Sequence, residues 1–252
     1  MTRGLAFLTL FGATNASVLL LLPFSTERLL LAGVLYGAGT GVMLFLLFHP
    51  RNSWLVANRH TVPCPDRPMV ALTFDDGPSE QTTPRLLAIL REKRVRATFF
   101  VVGRRAEAHA GLVRQLVADG HAIGNHTDSH PELFCFLTPA RLTEEIERAQ
   151  GAITRAAGIR PRYFRSPVGL RHPFLAPALN RAGLEYVSWG VRSFDTRAQD
   201  PSGLRDRILG RVTSGDIVLL HDRPGPGSDA MMAMLPGLID ALRARGFEFS
   251  LL

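Results

Sequence analysis

Two adjacent carboxylates and a pair of histidines are the residues of this chain best suited to chemistry. Asp75 and Asp76 follow a short apolar run and precede Gly-Pro, so they lie at a sharp turn. His126 and His130 stand four positions apart, a spacing that puts two imidazoles on one face of a helical turn and is used to hold one metal ion. Two histidines and one carboxylate leave positions free for water and substrate. The pattern predicts a catalytic metal centre.

Further polar groups also end apolar runs. His221 and Asp222 follow the run DIVLL, and Arg165 is followed by Ser-Pro-Val-Gly. Each feature alone is also typical of a solvated turn. Because four such features end successive apolar runs, we expect them to share one site.

The elements that must position these residues alternate between short apolar runs and amphipathic stretches from residue 69 onward. This alternation predicts a parallel sheet in a barrel-like α/β domain, with the chemistry where strands end and loops begin. The predicted strands are 69–74, 97–102, 121–125, 162–166, 184–189, 216–221 and 247–252, and the predicted helices lie near 82–93, 104–118, 138–156, 173–182, 201–213 and 230–245.

The motifs resemble those of a known family. TFDDGP at 73–78, HTDSH at 126–130, RSPVG at 165–169 and LLH at 219–221 match, in order, the motifs of the NodB-homology polysaccharide deacetylases, carbohydrate esterase family four. ATFFVVG at 97–103 and GHAIGNH at 120–126 are similar to that family as well. The resemblance covers about residues 69–252. It implies a distorted (β/α) barrel of seven or eight strands that hydrolyses N-acetyl groups of amino sugars.

The resemblance also implies a role for each matching residue. Asp76, His126 and His130 would bind a divalent metal, commonly zinc. Asp75 would be the general base for the attacking water, and His221 the general acid that protonates the departing amine. This division suits an amide, which is a poor electrophile with a poor leaving group.

Two more positions acquire roles through the resemblance. The backbone N–H of Val168 would help to hold the oxyanion; the family often has tyrosine here, but a main-chain donor tolerates valine. Leu219 would line the pocket for the acetyl methyl group, and Arg165 would contact the base.

The fourth motif departs from the family pattern Asp-x-x-Asp-Trp. Residues 192–196 read RSFDT, so Arg192 replaces the first aspartate. In the family that aspartate orients the arginine matching Arg165. A second cation near the base would keep the pKa of the base low. We expect Asp195 or Asp222 to take over the pairing with Arg165.

Two uncharged segments precede the catalytic region. Residues 5–22 and 29–48 are each long enough to cross about 30 Å of hydrocarbon as helices. A signal peptide over 3–16 fits less well, because more apolar sequence follows Ala16. We expect a transmembrane helical hairpin with both ends on one side. The predicted domains are an anchor at 1–49, a linker at 50–68 and the catalytic domain at 69–252.

Small residues in the second segment repeat at a spacing that lets helices approach closely. Gly33, Gly37 and Gly41 share one face, and Gly12 and Ala16 have the same spacing in the first segment. The pattern predicts packing within the hairpin, with a homodimer through Gly33, Gly37 and Gly41 as the alternative.

Composition and charge limit the binding partners and the cellular location that we expect. The chain has 29 Lys and Arg against 22 Asp and Glu, but its arginines are scattered without an aromatic-rich basic run, so we expect no nucleic-acid partner. Cys64 and Cys135 form one bridge or stay free. We expect a bacterial inner-membrane protein. Arg3, Arg51 and Arg59 favour a cytoplasmic catalytic domain, whereas the family favours an external one.

Several functions follow from this pattern. The first is a membrane-anchored deacetylase of a cell-envelope polysaccharide or peptidoglycan. The second is a deacetylase or deformylase of a lipid-linked, polyprenyl-phosphate amino sugar. Two histidines and a carboxylate also occur in non-haem iron oxygenases, but an oxygenase needs neither Asp75 nor His221. An inactive binding module is the remaining alternative.

Overall fold

A curled sheet of parallel strands forms the centre of the molecule in the computed structural model, which describes residues 6, 9–13, 16–17, 25–64 and 66–252. Its hydrogen-bonded order is β1-β6-β5-β4-β3-β2-β8-β7, and β9 pairs with the start of β2. All these pairings are parallel. The strands are β1 Asn58–Arg59, β2 Met69–Asp75, β3 Thr98–Val101, β4 Ala122–Asn125, β5 Tyr163–Phe164, β6 Glu185–Val187, β7 Val191–Arg192, β8 Ile217–His221 and β9 Glu248–Phe249.

Helices connect the strands, as the alternating pattern predicts. The seven predicted strands and the six predicted helical stretches are confirmed, although the stretch 104–118 forms two helices that meet at His109. Strands β1 and β7 lie outside the prediction, because two residues show no periodicity. The helices are α1 Thr26–Phe48, α2 Thr83–Glu92, α3 Gly103–Ala108, α4 Ala110–Ala118, α5 Pro139–Ala157, α6 Leu175–Ala182, α7 Pro201–Leu209 and α8 Ser228–Ala244.

The sheet curls into a half-barrel. Within the described residues, β1 and β7 lie at the two ends of the hydrogen-bonded path. An isolated antiparallel bridge joins Thr61 to Asp216, so the chain after β1 returns to the start of β8. The distorted barrel expected from the resemblance is therefore an open, curled sheet whose concave side faces the site.

Strand β2 shows how the pattern of side chains builds the site. Val70, Leu72 and Phe74 are fully buried in the main hydrophobic core, among apolar residues of α2 and α8. Because side chains alternate along a strand, Thr73 and Asp75 point to the opposite, concave side. Asp75 is the last residue of β2, next to His221 at the end of β8. The strand therefore delivers a carboxylate to the rim of the curl.

One described helix is long and apolar enough to cross a membrane. The span Leu29–Phe48 has a mean hydropathy of 2.0, and most of its side chains are exposed. The first predicted helix, at 5–22, lies mostly outside the described residues. The two-helix hairpin stays a prediction.

The glycines of α1 have few neighbours among the described residues. A side chain added at Gly33, Gly37 or Gly41 would meet no described atom within 4 Å, whereas one at Gly39 would collide with the Phe11 ring. Position 39 is two residues from 37 and 41, about 200° around the helix. Because the first predicted helix lies mostly outside the described residues, packing of these three glycines within the hairpin stays a prediction.

The C-terminal end of α1 is docked on the catalytic domain. Arg171, which is fully buried, donates its backbone N–H to the Leu47 carbonyl at 3.1 Å and its guanidinium to the carbonyls of His49 and Pro50 at 2.7 and 2.6 Å. Ser188 also donates to the Pro50 carbonyl. A cation at this position satisfies free carbonyls and complements the helix dipole.

The region predicted as a linker at 50–68 joins the domain. It contributes β1, and the side chains of Leu55, Val56 and Val62 in it are buried. Cys64 and Cys135 are both free.

Candidate active site

The predicted polar residues meet in one cavity of about 260 Å³ on the concave side of the sheet. It lies at the carboxyl ends of β2, β4 and β8, as the strand-end pattern predicts. Its lining residues are Asp75, Asp76, His126, His130, Val168, Gly169, Trp189, Arg192, Thr196, Arg197, Leu219, His221 and Arg223.

Asp76, His126 and His130 form a cluster suited to a metal ion. Asp76 Oδ1 lies 3.4 Å from His126 Nε2 and 3.1 Å from His130 Nε2. The three ligand atoms lie within 4.8 Å of one another. Ligands about 2.1 Å from a tetrahedral ion stand roughly 3.4 Å apart. The donor set and its spacing therefore fit zinc.

The surroundings of the cluster orient its ligands. His126 Nδ1 lies 2.7 Å from the Arg165 carbonyl, which accepts the Nδ1 proton and leaves Nε2 free as a ligand atom. Burial alone would raise the pKa of Asp76, but the imidazoles of His126 and His130 hold that pKa below its ordinary value. Asp76 is therefore an anionic ligand over the whole physiological range.

Strained loops, rather than a helical turn, bring the ligands together. Asp76, Thr127 and His130 have φ angles of 75°, 66° and 55°, as does Val168 at 58°. Residues 126–130 form no helix. The prediction that the two histidines share a helical face is wrong, because the chain after β4 turns back with two left-handed residues. Such conformations cost free energy and cluster at functional sites.

Asp75 is held by a buried arginine. Arg165 donates from Nη1 to Asp75 Oδ1 at 2.7 Å and to Thr73 Oγ1 at 2.8 Å. Its other nitrogens donate to the carbonyls of Val187 and Ser188 at 3.4 and 3.0 Å. The guanidinium is fully buried and lies 4.1 Å from the centre of the Phe100 ring.

The hydrogen bonds of Arg165 go to Asp75, Thr73 and two carbonyls, and neither Asp195 nor Asp222 contacts it. The prediction that Asp195 or Asp222 pairs with Arg165 is therefore wrong. Asp195 instead binds His221 at two points. Its Oδ1 accepts from His221 Nδ1 and its Oδ2 from the His221 backbone N–H, both at 2.8 Å. Ser193 donates a further hydrogen bond to Oδ1 at 2.8 Å.

The Asp195 contact sets the protonation of His221. Burial opposes the charged imidazole, but the hydrogen bond and charge of Asp195, together with Asp75 and Asp76, raise the pKa of His221 above its ordinary value. Because Nδ1 faces Asp195, Nε2 is the ring nitrogen free to donate a proton. The site thus contains a carboxylate, Asp75, that is paired with Arg165, and an imidazole, His221, that is paired with Asp195.

Asp222 has a structural position behind the site. It accepts hydrogen bonds from the hydroxyls of Thr82 and Thr83, both at 2.6 Å. Burial raises the pKa of Asp222 to about 6. A side chain at Gly77 would collide with its carboxylate, so this turn requires glycine. Asp222 therefore joins the start of α2 to the end of β8.

The remaining predicted residues line the cavity. Val168 is half exposed, and its backbone N–H has no hydrogen-bond partner in the described parts of the chain. Leu219 is buried beside it. Arg192 lies 5.9 Å from the Trp189 ring and 5.0 Å from that of Phe194.

Three cavity residues were missed from the sequence. Trp189 ends a predicted strand, and its residue type gave no signal that it faces the site. Arg197 and Arg223 lie in loops after β7 and β8, where no periodicity singles out a residue. The position of Arg223, two residues after His221, was the one available signal.

Comparisons with known proteins agree with this geometry. A family model described as polysaccharide deacetylase matches residues 63–187. A chitooligosaccharide deacetylase of Azorhizobium caulinodans is 38% identical over 193 residues, which span 71% of this chain and 90% of that protein. A peptidoglycan-N-acetylglucosamine deacetylase of Bacillus cereus is 32% identical over 180 residues, and the alignment covers 71% of this chain and 65% of that protein.

A solved structure is also similar. A family 4 carbohydrate esterase from Streptomyces lividans, in complex with acetate, aligns with a TM-score of 0.66 at 34% identity. The alignment covers 71% of this chain and 90% of that one. The similarity therefore extends over the curled sheet and its site.

Proposed function

The chain belongs to the polysaccharide deacetylase family and is a hydrolase of amide bonds, and we propose that it removes N-acetyl groups from an amino sugar of the cell envelope. The reaction would use a divalent metal, most simply zinc. One observation carries the proposal: the metal-ligand cluster, the Asp75–Arg165 pair and the His221–Asp195 pair all face one cavity. Hydrolysis of an amide needs help at both the carbonyl and the leaving nitrogen, and the cavity offers both.

Asp76, His126 and His130 would hold the metal. When bound, the metal would polarise the acetyl carbonyl and make water a better nucleophile at neutral pH. Asp76 and His126 are each almost completely buried, so these two ligands are shielded from bulk solvent.

Asp75 is suited to take the proton from the attacking water. Arg165 occupies Oδ1, which leaves Oδ2 free to accept. Oδ2 lies 3.9 Å from His126 Nε2, so the proton acceptor stands beside the ligand cluster. Arg165 also fixes the carboxylate, because three further hydrogen bonds, to Thr73 Oγ1 and the carbonyls of Val187 and Ser188, hold the guanidinium to the sheet.

His221 is suited to donate a proton to the departing amine. Asp195 fixes the ring and favours its charged form, so His221 retains a proton at pH values where a free histidine loses it. The backbone N–H of Val168 can hold the oxyanion, and Leu219 with Trp189 provides an apolar wall for the acetyl methyl.

A second candidate substrate is an amino sugar attached to a lipid, as an acetyl or formyl amide. The docking of α1 favours this second substrate. Arg171 contacts the end of α1, and Val168, which lines the cavity, is only three residues before it, so the two Cα atoms are at most about 10 Å apart. If α1 and the predicted first helix anchor the chain in the cell membrane, the cavity lies close to the membrane surface. An iron oxygenase fits less well, because it uses neither a general base nor a general acid.

Acetate release tests the proposal. Purified, zinc-loaded protein is incubated with chitooligosaccharides, peptidoglycan fragments and a polyprenyl-linked N-acetylhexosamine, with Asp75→Asn as the control. Release from the polymers that is lost in Asp75→Asn supports an envelope polysaccharide deacetylase. Release from the lipid-linked sugar alone supports the second candidate. Absence of release from every substrate, with metal bound, refutes the proposal.

A further inference from the structure

Three arginines line the cavity that holds the proposed catalytic groups. Arg192 ends β7, Arg197 lies in the following loop and Arg223 follows β8, so two neighbouring strands deliver all three. All three side chains belong to exposed residues. They therefore stand at the open side of the cavity, where a substrate enters.

Two of these three arginines lack an anionic partner. Within the described ranges, Arg192 and Arg197 form no ion pair with a carboxylate, and Arg223 has one at 3.5 Å, to Asp76 Oδ2. Several surface arginines elsewhere in the chain are paired, as Arg59 is with Glu185 and Arg155 with Glu107. The charge at the mouth of the cavity is consequently available to a ligand.

Aromatic contacts fix the position of Arg192. Its guanidinium lies within 6 Å of the rings of Trp189 and Phe194, and Arg207 contacts the same Phe194 ring at 6.0 Å. Phe194 itself has a φ of 61°, a strained conformation that turns the loop here. A guanidinium packed against aromatic faces loses less conformational freedom when it binds a ligand.

The anionic groups of the cavity do not neutralise these arginines. Asp75 is paired with the buried Arg165. Asp76 belongs to the ligand cluster, where a bound divalent metal would add positive charge. The cavity mouth therefore carries an excess of positive charge, and guanidinium groups match phosphate and carboxylate in shape as well as charge.

We infer that Arg192, Arg197 and Arg223 form a subsite for an anionic group, a phosphate or a carboxylate, that the amino-sugar substrate carries close to its acylated nitrogen. The inference rests on the proposed function and specifies its substrate class. A neutral oligosaccharide would use the same catalytic groups but would leave Arg192 and Arg197 without an anionic partner.

The test compares substrates that differ in charge. Acetate release is measured for a neutral chitooligosaccharide, N-acetylglucosamine 1-phosphate, a polyprenyl-phosphate N-acetylglucosamine and a fragment that contains N-acetylmuramic acid. Arg192→Gln and Arg197→Gln are compared with Arg211→Gln, which removes one charge from an exposed residue outside the cavity. Arg192→Asp restores the residue common in the family.

We expect the wild type to prefer an anionic substrate, and the ratio of kcat/KM for the anionic to the neutral substrate to fall at least tenfold in Arg192→Gln and Arg197→Gln. The ratio should fall further in Arg192→Asp and stay constant in Arg211→Gln. Inorganic phosphate should inhibit the wild type more strongly than either glutamine variant. Turnover of the soluble sugar phosphate identifies phosphate itself as the recognised group, whereas turnover of the polyprenyl form alone adds the lipid.

The outcomes separate the two proposals. Equal ratios in the wild type and the cavity variants, with acetate released from the neutral sugar, overturn the anion subsite and leave the deacetylase intact. Absence of acetate from every substrate overturns the deacetylase first.

Discussion

Replacing Asp195 by asparagine should weaken catalysis by changing the proton on His221. The carboxylate accepts three hydrogen bonds, from His221 Nδ1, from the His221 backbone N–H and from Ser193 Oγ. An asparagine has one oxygen in place of two, and its NH₂ group must face a donor at either position. One hydrogen bond of the His221 contact is therefore lost in either orientation.

The size of the effect follows from the geometry. The Asp195 and His221 side chains are 3% and 18% exposed, and their atoms meet at 2.8 Å. An opposite charge at such a distance typically shifts a pKa by about 1–3 units, and one unit corresponds to about 1.4 kcal/mol. Without that charge, burial remains the main influence and favours neutral imidazole. We therefore expect the pKa of His221 to fall in this variant.

The assay is the pH profile of kcat/KM for acetate release by zinc-loaded protein. The group that must be protonated sets the alkaline limb, so this limb should move to lower pH in Asp195→Asn. At pH values above both pKa values, the rate should fall about tenfold for each unit by which the pKa is lowered. Ser193→Ala is the matched control, because it removes one hydrogen bond of Asp195 and keeps the charge. Its alkaline limb should move less than that of Asp195→Asn.

A profile of Asp195→Asn that keeps the wild-type alkaline limb, with the metal content unchanged, would refute this reasoning. His221 would then not be the acid whose ionisation limits the reaction.

Three further predictions concern the metal, the support behind the site and the docked helix. Removal of divalent metal by a chelator should abolish acetate release, and added zinc should restore it in the wild type but not in His126→Ala. Asp222→Ala should lower the free energy of unfolding by about 2–4 kcal/mol in urea titration, because two buried threonine hydroxyls lose their acceptor. In the wild type the raised pKa of Asp222 means that the folded state binds the proton of Asp222 more tightly than the unfolded chain does. The contribution of Asp222 to the free energy of unfolding should therefore decrease as pH rises from about 4 to about 6. Asp222→Asn should remove this dependence on pH. Arg171→Met should free the end of α1, seen as faster amide hydrogen exchange at residues 47–52, with unchanged kcat on a soluble chitooligosaccharide; unaltered exchange would contradict the docking role.

Local patterns predicted most of the elements and most of the site. Asp75, His126 and His221 each end or follow an apolar strand, and parallel strands end on the same edge, so their proximity follows from the order of elements. The partner of Asp195 could not be predicted in this way. Whether it meets Arg165 or His221 depends on a turn in which Phe194 adopts a left-handed conformation, and nothing in the residue type signals that.

The same reason explains the missed arginines and the linker. Arg197 and Arg223 lie in loops, whose course depends on contacts made after the sheet has formed. Residues 50–68 are polar, basic and proline-rich, which is typical of a free linker, yet buried Arg171 holds the carbonyls of His49 and Pro50 against the domain. A contact between positions about 120 residues apart in sequence leaves no local trace.

The hold of Arg171 on α1 has a kinetic consequence. If α1 spans a membrane, as its length and hydropathy predict, a catalytic domain fixed at its end cannot swing outward on a tether, and it works within a thin layer that moves sideways with the helix. Within that layer the rate would depend on the number of substrate molecules per unit area of membrane rather than on their concentration in solution. Distant polymer would contribute little to turnover, whereas a sugar that diffuses in the same plane would meet the cavity repeatedly.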